Sequence, residues 1–392
     1  MNFKERPLEY LRRKNTPTEN DGAKYDDAIV SNWYKARAFV LHKLNNIIIQ
    51  PGEDAHLHVV LLDDDEMMLS VARQVALSSH FPNYDEENPD ETKRNRTVIT
   101  LVSQKEDVID WLAKEEYLCN LLKYCKYSFL GDIINKDSYI DIEIEVVNEW
   151  TNGDGGYMEI MSGKHTEKRL VFNKQEVDSF FDGQLDEEIQ TIDTRKAQYT
   201  ERMYCLGRDI DNLPYENIHS VKRYAMAMSF FQHVKLKEAI GLLVQDRLWE
   251  KEENQSVVLT ALSNVFCSDC FLIRYNSIKS CCTNGEMTEE QALEKYYDAF
   301  SKSEHSRWVV EKLILGYRPY SLQERLRDES LVIDQERKKQ FRKGLKNNWH
   351  SPAHIDLCSF SDLRRIDPDS MKYDSFLILG IPEILRKVGE IT

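Results

Sequence analysis

Four groups of side chains in this sequence have types and spacings that could do chemistry. The first is Asp63-Asp64-Asp65-Glu66, a run of carboxylates directly after the apolar stretch Leu57-His58-Val59-Val60-Leu61-Leu62. Carboxylate oxygens suit magnesium or calcium, and converging on such a cation they would serve metal-dependent processing of a nucleotide. The same run at a helix start has a structural use: Asp accepts orphan N–H groups, and negative charge favours the positive helix end. The second group is Cys267, Cys270, Cys281 and Cys282. Cys-x-x-Cys is half of a zinc ribbon, but the second pair is adjacent, and free thiols buried on an apolar helix explain the pattern as well. The third is Glu304-His305, where an imidazole titrating near neutrality stands beside a carboxylate. No Ser or Cys nucleophile accompanies it, so an anchoring role by packing and hydrogen bonding competes with acid–base chemistry. The fourth is the basic concentration Arg337, Lys338, Lys339, Arg342, Lys343 and Lys346. Positions 339, 342, 343 and 346 fall on one helical face, which could hold a phosphate or be a solvated surface. None of the four designates a catalytic residue, a cofactor or a metal.

The elements that must position these groups follow from periodicity. A polar arm, residues 1–27, precedes a helix from Ala28 to about Ile49, with Val30, Trp33, Ala36, Phe39, Val40 and Leu44 at helical spacing. Leu57–Leu62 reads as a buried strand, the acidic turn follows, and Met67 to about Ser79 reads as a helix. Thr97–Val102 is a second strand, Lys105 to Cys125 a second helix, and Tyr139–Val147 a third strand that alternates apolar and acidic residues. Strand, helix, strand, helix, strand predicts a parallel α/β sheet over residues 28–173. Between them, Asn83–Asn95 reads as a surface loop.

A dinucleotide fold needs glycines at its first strand-to-helix turn, and carboxylates stand there instead, so no conventional NAD site is expected. Asn152-Gly153-Asp154-Gly155-Gly156 lacks the Lys-Ser/Thr ending of a phosphate loop and reads as a hairpin turn. Residues 174–300 read as a helical region, including Gln232–Leu248. It is broken at Asn212–Glu216 and Asn284-Gly285, and Thr288 with Gln291 forms a capping box. Residues 301–392 open with an amphipathic helix that stops at Gly316 and turns into Pro319, and Arg307 and Glu311 can pair along it.

The formal charge of −15 argues against nonspecific nucleic-acid binding, because a polyanion would be repelled by most of this surface. No apolar run approaches the ~20 residues of a bilayer span, and no secretory signal opens the chain, so a cytoplasmic protein with no membrane partner is expected. Eight cysteines in 392 residues do not make the disulfide framework of a small secreted domain.

The stretch Glu304-His305-Ser306-Arg307-Trp308, followed by Gly316-Tyr317-Arg318, resembles the opening of the RyR domain, the repeat named for the ryanodine receptor. His354-Ile355-Asp356-Leu357-Cys358-Ser359-Phe360-Ser361-Asp362-Leu363 is similar to the second signature of that family without its prolines. Asp367 and Tyr373-Asp374 stand where an acidic helix follows. Ile381-Pro382-Glu383-Ile384-Leu385 resembles the closing turn and last helix. The likeness spans about Glu304 to Lys387. The α/β half resembles the Rossmann-like, TrkA-N-type domain that accompanies RyR domains in some bacterial proteins.

Together these resemblances imply a Rossmann-like domain, a helical middle and a small, mainly helical RyR domain. They imply recognition of a small, nucleotide-derived ligand by a sensor or adaptor in bacterial stress or antiviral defence. A protein partner or homo-oligomer is compatible with this reading. The ligand-contacting residues expected on this basis are Glu304, His305, Arg307, Trp308, Tyr317, Arg318, Lys339, Arg342 and His354. Metal-dependent nucleotide processing at residues 63–66, or a structural module without ligand, are the alternatives.

Overall fold

The computed structural model describes residues 27–104, 118–136, 138–151, 156–182, 196–197, 199–200, 263–282, 287–348, 351–368 and 370–392. The arm, most of the helix expected after Lys105, the Asn152–Gly155 turn, the breaks at 212–216 and 284–285, and the Gln232–Leu248 helix lie outside the described residues.

The α/β half is a seven-stranded, mostly parallel sheet. Its strands are β1 (Ala55–Leu61), β2 (Thr97–Val102), β3 (Lys126–Phe129), β4 (Asp132–Asn135), β5 (Ile142–Val147), β6 (Gly156–Ser162) and β7 (His165–Phe172). The spatial order is β4-β3-β5-β2-β1-β7-β6. Five neighbours, β3, β5, β2, β1 and β7, run parallel, while β4 and β6 are antiparallel edges. This is a Rossmann-like arrangement, with the order reversing between β1 and β7.

Strand register sorts the side chains. Val59 lies between Ile99 and Leu170, and Ile99 pairs with Ile144, so odd positions of β1 line up with apolar neighbours on one face. That face carries Leu57, Val59, Leu61, Ile99, Leu101, Ile142, Ile144, Val146, Leu170 and Phe172, all buried in the main core. The β-branched residues among them fit a pleated surface and favour strand over helix. One residue away along each strand, the opposite face presents His56, His58, Thr100, Glu143, Glu145, Glu167 and Arg169.

Helices α1 (Asp27–Leu44) and α2 (Glu66–Ser78) pack together over the apolar face. Every residue of α2 from Met67 to Ser78 is buried, so it is a central rather than a surface helix. Phe39 of α1 meets Phe172 edge to face at 4.9 Å, a geometry worth about 0.5–1.5 kcal/mol beyond its area. A short helix α3 (Leu118–Leu121) and α4 (Lys174–Phe180) complete this half.

The third strand begins at Ile142, three residues later than the alternation suggests. Arg96 takes the carbonyls of Ser138 and Ile140, and Arg94 also reaches Ser138, so this stretch is held by side chains rather than by a ladder. Two hairpins are additions to the expected pattern. Leu130-Gly131 links β3 to β4 with φ of 49° and 89°, and Gly163-Lys164 links β6 to β7 with φ of 66° at Gly163. Positive φ at those positions is what two-residue hairpin turns require.

The C-terminal half is mainly helical: α5 (Phe271–Ser280), α6 (Glu289–Lys295), α7 (Tyr297–Ile314), α8 (Leu322–Ser330), α9 (Gln335–Lys346), α10 (Phe360–Ile366) and α11 (Met371–Val388). A two-stranded parallel ribbon joins β8 (Arg318–Pro319) to β9 (Ala353–His354). The Thr288–Gln291 capping box forms, and Gly316 ends the α7 segment with φ of 85°.

The closing turn expected at Ile381-Pro382 is absent. Helix α11 runs through Pro382, because Leu377, Ile378, Ile381, Ile384 and Leu385 form one continuous buried stripe. That burial outweighs the hydrogen bond a mid-helix proline forfeits.

The main core continues from the sheet into α7, since Val309, Val310, Leu313, Ile314 and Tyr317 belong to the same cluster as Leu57 and Phe172. Asn120 of α3 caps the end of α7 by donating to the carbonyls of Leu313 and Tyr317 at 2.7 and 2.8 Å. Glu86 accepts the backbone N–H groups of Phe360 and Ser361 at the start of α10. Among the described residues, no helix is long and apolar enough to cross a membrane.

Candidate functional site

Helix α7 carries the first signature and divides its residues between two environments. Positions 304, 307 and 311 are three and four apart, so their side chains stack along one helix face. That face points inward: Glu304, Arg307 and Glu311 are fully buried. Arg307 donates to both oxygens of Glu304 at 2.9–3.0 Å and to Glu311 at 2.6 Å. Arg274, also fully buried, reaches Glu304 at 2.5 Å from α5, and Lys312 closes on Glu311 at 2.6 Å. Burial opposes ionisation of Glu304, yet Arg274 and Arg307 prevail and bring its pKa down to about 2.

Glu304 and Arg307 are therefore corrected from ligand contacts to an internal ion cluster, because neither presents an atom to solvent. Tyr317 is likewise buried in the core. His305 is buried too. Its Nε2 donates to the Cys358 carbonyl at 2.9 Å, and Nδ1 lies 3.6 Å from Asp374. Burial disfavours its charge, but Asp374 and the Cys358 side chain outweigh this and raise its pKa well above the ordinary value. It works as a charged clamp between α7, α10 and α11, not as half of an acid–base pair with Glu304.

Trp308, four residues on from Glu304, is partly exposed. His305 stacks on it with centroids 6.2 Å apart, His354 of β9 meets it edge-on at 5.0 Å, and the Lys312 ammonium lies 5.7 Å from its centroid. His354 is held far below the usual histidine range by burial and by the charges of Lys346, Lys312, Arg342 and His305. A neutral imidazole and an indole thus sit in a locally cationic setting on a strongly anionic chain.

Arg318 and Arg342 lie in the same region with much of their capacity engaged. Arg318 forks onto Glu324 at 2.7 and 2.8 Å and donates to Ser351 at 2.9 Å. Arg342 grips Asp328 through two bonds and Asp367 at 2.6 Å. Lys338 also pairs with Asp328, whereas Lys339, Lys343 and Lys346 lie on the exposed part of α9.

The acidic turn serves local structure. Asp65 is the N-cap of α2 and accepts from the Met68 N–H at 2.9 Å. Asp64 accepts from the Ser103 hydroxyl at 2.8 Å, and Asp63 accepts from the Lys174 backbone N–H at 2.6 Å. The Lys174 ammonium adds an ion pair to Asp65 at 2.8 Å. These partners spread the carboxylates over three elements instead of converging them on a cation. They lie at the C-terminal ends of β1 and β7, where an open α/β sheet ordinarily takes its ligand. Asp65→Ala is expected to cost about 1 kcal/mol of stability through the lost cap, read as a lower urea midpoint.

The four cysteines do not converge on one point. Cys270 and Cys281 flank opposite ends of α5, and eleven helical steps of 1.5 Å set them roughly 16 Å apart. Burial pushes the Cys267 thiol up, and Cys270 up to about 11, so both remain protonated free cysteines.

One group that sequence reasoning missed lies on the polar sheet face. His56, His58 and Glu167 place one donor atom each within 4.8 Å of one another, the only such convergence among the described residues. The alternation His56-x-His58 was its signal, since residues two apart on a strand share a face. Burial, then the neighbouring His165, holds the His56 pKa at about 4, so this ring is neutral at physiological pH.

No family model, no curated protein and no solved structure matches the chain.

Proposed function

We propose that this chain is a ligand-binding sensor or adaptor whose C-terminal region recognises a small, anionic, nucleotide-derived molecule. The observation that carries the reading is the Trp308 patch. A partly exposed indole flanked by the neutral His354 and the Lys312 ammonium offers a stacking surface inside a cationic neighbourhood. Aromatic faces stack on a base, and clustered ammonium and guanidinium groups attract phosphate. The exposed lysines of α9 extend the positive potential, and Arg318 can exchange part of its hold on Glu324 for a ligand oxygen. The likeness of residues 304–387 to the RyR domain supports the same reading and suggests a place in bacterial stress or antiviral defence.

Binding rather than catalysis is favoured because Asp63, Asp64 and Asp65 are engaged as helix cap and loop anchors. A thermal-shift screen of the full chain against nucleotides, cyclic oligonucleotides and NAD derivatives, with and without magnesium, tests the reading. A compound at a hundred times its Kd adds about 2.7 kcal/mol of apparent stability. The shift is expected without magnesium, and Arg318→Ala should weaken it. The absence of any shift would favour a purely structural module, and a shift that needs magnesium would favour the enzyme.

A further inference from the structure

We propose that His56, His58 and Glu167 form a binding site for a transition-metal dication of the zinc class, spanning β1 and β7. Two imidazoles from one strand and a carboxylate from its parallel neighbour are brought together by register, since His56 is paired with Glu167. One donor atom of each lies within 4.8 Å of the others. Imidazole with carboxylate suits zinc, cobalt or nickel and does not suit magnesium or calcium.

The hydrogen bonds around the site supply an independent argument. Thr100 donates its single hydroxyl proton to Glu145 at 3.1 Å, so at its 2.8 Å contact with His58 Nε2 it must accept. In the neutral ring this places the His58 proton on Nε2 and leaves Nδ1, 2.8 Å from Glu167 Oε1, as the donor atom for a metal. A proton holds that contact in the metal-free chain, and a metal dication would displace it and take both donor atoms. On the other side, Asp54 accepts from His165 Nδ1 at 2.7 Å, which leaves His165 Nε2 to accept from His56 Nδ1 at 2.6 Å. His56 keeps its lone pair on Nε2.

Both rings are thus held by lines of hydrogen bonds that end in carboxylates, Asp54 and Glu145. This is how metal-ligating histidines have their tautomers fixed. Arg169 donates to Glu167 Oε1 and lies 5.1 Å over the Trp150 ring, while a carboxylate retains further lone pairs for a metal. His58 meets Trp150 edge-on at 5.4 Å, so a bound ion would sit near this indole. The three ligands leave a coordination position for water or a small anion. The site lies toward the N-terminal end of β1, away from the capped crevice at the strands' C-terminal ends.

The test is titration of the chelator-treated full chain with cobalt(II), followed by visible absorption, and with zinc, followed by thermal shift. One ion per chain is expected, undiminished by excess magnesium. His56→Gln and Glu167→Gln should each weaken it at least tenfold, and His165→Gln, which disturbs only the supporting line, about 10–100-fold. Cys281→Ser with Cys282→Ser should leave it unchanged. Should His56→Gln fail to fold, Glu167→Gln, which preserves shape, decides. No stoichiometric binding, binding untouched by Glu167→Gln, or binding lost with the cysteines would each overturn the proposal.

Discussion

Arg307→Ala should lower the unfolding free energy by about 3–5 kcal/mol, because it strips one member from a fully buried ion cluster and leaves its partners charged. Glu304 would lose three of its hydrogen bonds and Glu311 one, while both remain inside the core. Arg274 and the Cys267 thiol still reach Glu304, and Lys312 and Ser263 still reach Glu311, so each carboxylate keeps one cation. Urea denaturation at neutral pH reads the effect as a drop in midpoint with an unchanged slope. A loss under 1 kcal/mol would mean that the cluster is hydrated and that Arg307 is available for other work.

Acidification should produce the second large effect. The Glu304 pKa is depressed in the folded chain to about 2, from an ordinary value near 4.5. A depressed carboxyl contributes stability that is fully present above its unfolded value and lost as pH falls through its folded value. The window is therefore from about pH 4.5 down to about 2, and the contribution is on the order of 3 kcal/mol. Urea midpoints of the wild type and of Glu304→Gln, compared at neutral pH and at about pH 3, isolate this group from other carboxyls. The gap between them should narrow as pH falls; a constant gap would contradict the assignment.

These effects show where a motif read from sequence can mislead. The four-residue spacing of Arg307 and Glu311 announced their ion pair, which is present. Spacing does not say whether a face meets solvent or the rest of the chain. Only Arg274, thirty residues upstream, reveals that this polar face is interior. Trp308, one position after Arg307, is partly exposed, so adjacent residues of one signature differ in environment.

The parallel sheet was legible because β1 and β2 are short apolar runs bounded by turn residues, and Asp65 was legible as a cap from its place before α2. The hairpin strands β3, β4 and β6 were not, because β3 and β4 have only four residues each, β4 and β6 are largely exposed, and the turns depend on single glycines. His56 and His58 were visible as residues but not as a site. Their partners Glu167, His165 and Asp54 come from a strand more than a hundred positions away and from the loop before β1.

The most direct test of a binding role at the C-terminal patch is the ligand-induced rise in melting temperature of Trp308→Ala and His354→Ala beside the wild type. Each substitution is allowed its own baseline, since Trp308 also packs against the core. With the compound that shifts the wild type most, the rise should vanish or fall several-fold in both variants, while Asp65→Ala keeps it in full. A rise of undiminished size in Trp308→Ala and His354→Ala would place the ligand elsewhere and contradict the account.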